Sequence, residues 1–167
     1  MSRSTVHYAD SKTNTTLKNL HNKLRPAGTP IQRVEYIIEL ILLRMFETKL
    51  KREDGFKELR EVFKKEEHKD LLFNYLKTIS SDQITEKLNK DFFPFYGDII
   101  NKVREVVKGN LSTEVSDQLS LIQQVFKGSN FTNNVQSGNL SDIISSVDEL
   151  DEERLLHSDL LDRKSVV

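Results

Sequence analysis

The sequence contains no cysteine, so disulfide frameworks, thiolate metal sites and cysteine nucleophiles are excluded together. Glycine occurs six times, at 28, 55, 97, 109, 128 and 138. None of these falls at the spacing that cradles a phosphate, which removes the P-loop and the dinucleotide fingerprint. His7, His21, His68 and His157 stand too far apart for the helical pairs that ligate zinc, so no metal site is expected. No glycine-flanked serine and no histidine–carboxylate pair of recognisable spacing offers a nucleophile. Long apolar runs are missing as well. The richest stretch, Tyr36 to Phe46, carries Glu39 and Arg44, and falls short of the roughly 18 uncharged residues that a membrane span needs. Met1 to Lys12 lack the apolar segment of a secretory signal. The expectation is a cytoplasmic protein with no membrane partner.

What is present is a chain of 167 residues, 37% of them apolar, which is the size of one domain with one core. Charge is abundant and nearly balanced, at 25 basic against 26 acidic residues, but it is unevenly placed. Residues 1–33 hold six cations, Arg3, Lys12, Lys18, Lys23, Arg25 and Arg33, against Asp10 alone. Residues 111–167 hold four cations against ten carboxylates. The two ends therefore carry opposite fields, and only the basic one suits phosphate.

Leu17, Leu20 and Leu24 suggest a short helix stopped by Arg25-Pro26-Ala27-Gly28. Thr29-Pro30-Ile31-Gln32 reads as a capping box with proline at the first helical position. Ile31, Val34, Ile37, Ile38, Ile41, Leu42, Met45 and Phe46 then form a helical stripe that Leu40 and Leu43 widen, which predicts a central helix packed on more than one side. Phe56, Leu59, Val62 and Phe63 begin a shorter amphipathic segment, and Leu71, Leu72, Tyr75, Leu76 and Ile79 continue the pattern. Ser80 or Ser81 caps a piece with Ile84 and Leu88 inward, and Phe92 to Gly97 is expected to interrupt helix. That aromatic run suits a core better than a base-stacking platform. Asp98 opens a helix through Val107, with Gly109 as its left-handed cap. Leu119, Ile122, Val125 and Phe126 mark another that stops near Gly128. Asn139 caps the last, whose stripe is Ile143, Ile144, Val147 and Leu150. Asp148, Glu149, Asp151, Glu152 and Glu153 lack the central glycine of a calcium loop and read as a solvated helix end. With no period-2 run, the fold class is all-α, an irregular bundle of about six to eight helices.

Leu20 to Tyr36, reading LHNKLRPAGTPIQRVEY, resembles the amino-terminal helical domain of type I restriction-modification methylation subunits, which are N6-adenine DNA methyltransferases. Ile37 to Glu47 is similar to its continuation. Phe131, Asn139 to Ile144 and Asp159-Leu160 are similar to its closing part, so the resemblance covers about residues 15–161. It implies a flexible basic segment at 1–14, the helical domain at 15–161, and a disordered or non-native tail at 162–167. It further implies double-stranded DNA, a methyltransferase catalytic domain, a specificity subunit and a second methylation subunit as partners. S-adenosylmethionine is implied as cofactor of a full-length subunit but not of this chain. The chain departs from the family where the catalytic half would follow: no asparagine-proline-proline-aromatic motif and no glycine-rich cofactor loop is present. The resemblance therefore implies no catalysis by this chain alone, and either a fragment of a longer subunit or the product of a shortened gene.

No catalytic residue is implied in this segment. Lys18, Lys23, Arg25 and Arg33 are the DNA-contact candidates, because basic side chains gain affinity by releasing counterions from the phosphate backbone, with orientation of the turn as the alternative role for Arg25 and Arg33. The alternative is a free-standing helical module that binds another protein.

Overall fold

The computed structural model describes residues 30–131 and 137–150, with the side chains of 30–34 and 137–139 excepted. The segments 1–14 and 162–167, the helix expected around Leu17 to Leu24 and the capping Thr29 lie outside the described residues.

Helix α1 spans Pro30–Arg52, with the proline at its first described position. At 23 residues it is about 34 Å long. Every residue from Tyr36 to Thr48 is buried, including Glu39, Arg44 and Glu47, which makes α1 the axis around which the rest is packed. The chain then tightens into a 3-10 helix over Asp54–Lys64. Such runs rarely exceed one turn, but here Phe56, Leu59 and Val62 recur every three residues, the period of that helix, and all are buried. A second 3-10 turn, Phe73–Lys77, buries Phe73 and Leu76, while Leu72 and Ile79 are only partly buried. This corrects the expected face. Asn74 is tied to Glu47 of α1 through its backbone N–H at 2.8 Å, and that anchor accompanies a turn with Phe73 inward.

Helix α2, Ser81–Lys87, has Ser80 as its cap, where the Ser80 N–H donates to Gln83 Oε1 at 3.3 Å. The expected break comes only at the last residue of the aromatic run, Gly97, before Asp98 leads into the next helix, and not at Phe92 or Pro94. Instead a π turn, Leu88–Phe92, passes directly into α3, Phe93–Tyr96. Pro94 explains it: proline donates no hydrogen bond and its ring crowds the carbonyl four residues back. The wider turn, in which the Phe93 N–H reaches Leu88 O, accommodates the ring without ending the rod. Phe92, Phe93, Phe95 and Tyr96 are all buried in the core.

Helix α4, Ile99–Arg104, is shorter than expected, and Gly109 lies beyond it with no left-handed backbone. Val106 and Val107 are only partly buried, so little packing offsets the helix cost of β-branched side chains. Among the described residues the left-handed glycine is Gly128, φ 80°, just past α5, Thr113–Phe126. Helix α6, Ser137–Asp148, already contains Asn139, which is therefore not its cap.

Six α-helices, two 3-10 helices and one π turn make up the described residues, with no strand among them, so the chain is all-α. No described helix is long and apolar enough to cross a membrane. Helix α1 touches the first 3-10 helix, the second, α5 and α6, while α2 packs on α6 and α4 on α5. At the centre the Phe46 ring meets Phe63 at 5.8 Å and Tyr96 at 5.5 Å. Toward the amino end of α1, Tyr36 and Phe131 meet at 4.5 Å between centroids with their planes tilted by 38°.

Candidate functional site: a cationic recess beside the central helix

The carboxyl half of α1 carries Arg44, Glu47, Thr48 and Lys51 on one face, at steps of three, one and three. Thr48 returns its hydroxyl to Arg44 O at 3.0 Å, which leaves it a structural role. Glu47 is buried and saturated. It accepts from Lys51 Nζ at 2.7 Å, from the Asn74 N–H at 2.8 Å and from Asn74 Nδ2. These bonds join α1 to the second 3-10 helix and hold the carboxylate in place.

Beside this anchor lies a recess of about 310 Å3, lined by Arg44, Lys51, Arg52, Asn74 and Asp148 among others. Arg44 is largely buried, and its Nε stands 3.8 Å from Asp148 Oδ1 at the end of α6. Lys77, from the second 3-10 helix, reaches Asp148 Oδ2 at 3.1 Å. Lys51 and Arg52 are exposed at the rim. Three cations, Arg44, Lys51 and Arg52, thus line the recess beside Glu47 and Asp148, and Lys77 reaches Asp148 from outside that lining. Part of the reason is local: cations suit the negative end of the α1 dipole, and its last turn holds Lys49, Lys51 and Arg52.

A second recess, about 410 Å3, sits at the π turn and makes the contrast. There Lys87, Lys90 and Lys102 face Glu67, Asp91 and Asp98, so charge cancels. His68 at its edge is buried, with Nδ1 3.0 Å from Val62 O and its ring 4.9 Å from Phe95, and serves packing.

The cationic recess has the chemistry of an anion site. No nucleophile–base pair lines it, and among the described residues no cluster of histidines and carboxylates is arranged to hold a metal. Nor does it fit S-adenosylmethionine, whose sulfonium is itself a cation. Forked guanidinium donors beside ammonium groups match phosphate oxygens.

Behind the recess, Tyr96 is a structural post. Its hydroxyl donates to Leu71 O at 2.5 Å. Burial, and secondarily the negative charge of Glu47, push its phenol well above the usual value of 10.0, so the proton stays on oxygen.

Lys18, Lys23 and Arg25 lie outside the described residues, and of Arg33 only the backbone, in the first turn of α1, lies within them. The recess residues were not foreseen. Arg44 had a signal, since it interrupts an apolar run seven residues before Lys51. Asp148 had none: read as part of a solvated helix end, it turns instead toward Arg44 and Lys77 with its side chain 38% exposed. No protein family, curated protein or solved structure matches this chain.

Proposed function

We propose that this chain is a non-catalytic domain that contacts the DNA backbone and joins subunits in a type I restriction-modification N6-adenine methyltransferase. In this reading the chain helps to enclose the duplex, a catalytic domain elsewhere binds S-adenosylmethionine, and a specificity subunit reads the bases. The resemblance of Leu20 to Tyr36 supports the family. The observation that carries the contact is that Arg44, Lys51 and Arg52 line one recess together, with Lys77 close by on Asp148. Backbone contacts of this kind are indifferent to sequence and weaken with salt.

The test is duplex binding by the full chain, alone and reconstituted with a methyltransferase core and specificity subunit, across a salt series. Neutralising Lys51 and Arg52 together should weaken binding to every sequence alike and flatten the log–log salt slope by about two. Charge reversal at Lys23 and Arg25 should weaken it further. Unchanged binding in both sets of variants overturns the reading, as does methyl transfer by the purified chain alone.

A further inference from the structure

We infer that Asp148 is an internal competitor for the recess, a carboxylate occupying the position a DNA phosphate must take, so that it sets how tightly the recess binds. This rests on the phosphate-contact reading above.

Three observations support it. The first is position. Asp148 lines the recess 3.8 Å from the largely buried Arg44 and also holds Lys77, which lies outside the lining, at 3.1 Å. An oxyanion entering the recess to meet Arg44 therefore meets the carboxylate already placed beside it. The second is exchangeability, for which Glu47 is the internal comparison. The Glu47 side chain is 7% exposed and pinned by Lys51 and Asn74, whereas that of Asp148 is 38% exposed and contacts each cation through a single atom. Without forked contacts, neither bond has the geometry that makes Arg–carboxylate pairs strong. The third is where the backbone sits. Val147 and Leu150 on either side are buried, and the Leu150 N–H bonds to Val147 O, so the carboxylate can swing out while α6 stays docked. The carboxyl end of a helix repels a carboxylate, so Asp148 is held there by its two cations. A phosphate that takes those cations removes the reason for it to stay.

Displacement leaves a mark on the salt dependence. Each phosphate neutralised releases a counterion from DNA, but a freed carboxylate draws a cation back from solution. The wild-type slope is therefore shallower than the number of contacts implies.

The experiment is fluorescence anisotropy of a labelled duplex with the full chain across a potassium chloride series, for wild type, Asp148→Asn, Asp148→Ser and the Lys51/Arg52 double neutralisation. Far-UV circular dichroism and melting confirm that each variant folds. We expect both Asp148 variants to bind several-fold more tightly than wild type, with a slope steeper by about one. If they bind as wild type does, or more weakly, while the double neutralisation weakens binding, Asp148 is only a structural ion pair; the inference falls and the DNA reading stands. If neither wild type nor either Asp148 variant binds duplex, or if the double neutralisation changes nothing, the DNA reading falls and takes the inference with it.

Discussion

Asn89 and Phe131 exchange two hydrogen bonds across 42 residues of chain: Asn89 Nδ2 donates to Phe131 O at 3.0 Å, and the Phe131 N–H donates to Asn89 Oδ1 at 2.8 Å. One side-chain amide in the π turn thereby satisfies both backbone groups of a buried residue that lies outside any helix. It also holds the Phe131 ring against Tyr36 and Phe93.

Asn89→Ala should leave both Phe131 groups without these partners and cost about 2 kcal/mol. In a chain of this size that lowers the melting temperature by roughly 4–8 °C. Differential scanning calorimetry of the purified variant checks it. A shift under a degree would mean that water replaces the amide at no cost.

Arg60 closes the carboxyl end of α1. Its Nε donates to Leu50 O at 2.6 Å, and its Nη2 lies 3.2 Å from Lys51 O and 3.3 Å from Glu53 O. These carbonyls belong to the end of a helix, where partners within the helix run out. Arg60→Ala should cost about 1.5 kcal/mol in urea unfolding. Arg60→Lys should recover little of it, since an ammonium cannot fork between three carbonyls.

Gly97 is required by a close approach. A Cβ built there would stand 2.9 Å from Phe93 O, 3.1 Å from Lys127 Cα and 3.3 Å from Phe126 O, all backbone atoms that cannot step aside cheaply. Gly97→Ala should therefore push the end of α3 away from the end of α5 and cost about 1–3 kcal/mol. Gly109 is the control: its Cβ would meet nothing within 4 Å and its φ is not positive. Gly109→Ala should leave stability unchanged or raise it by about 0.5 kcal/mol by restricting the unfolded chain. Equal effects of the two substitutions would contradict this packing.

Tyr96 ties stability to alkaline pH. Its phenol is raised above 10.0 in the folded state by burial and then by Glu47. Above that pH the unfolded chain releases the proton while the folded one keeps it, so the unfolded state binds fewer protons and stability falls as pH rises. Lysines titrate in the same range, so the informative quantity is the difference from Tyr96→Phe. That variant loses the bond to Leu71 O and should be less stable at pH 8, and its denaturation midpoint should fall less steeply between pH 9 and 11. Parallel curves would show that Tyr96 ionises alike in both states.

Much of the helix content was legible because it depends on neighbours in sequence. The step of three and four from Ile31 to Phe46 specifies α1 and its central place, and the buried set Ile143, Ile144, Val147 and Leu150 matches its stripe. Where local signals compete, they mislead. Pro94 reads as a stop, but burial of four aromatic side chains makes it favourable to carry the helix past it on a π turn, and the chain breaks only at Gly97. Val106 and Val107 have the right period for α4, yet with only partial burial the helix ends before them.

By itself, then, the sequence determined an all-α chain with one aromatic core, since periodicity and burial of apolar surface are properties of a few consecutive turns. It also carries the family resemblance on which the proposed function rests. Only the tertiary structure decided that Arg44 and Lys51 share a recess with Asp148, and that Lys77 meets a carboxylate 71 residues away. Electrostatic interaction depends on distance through space, and packing three helical segments together creates distances that no spacing along the chain encodes.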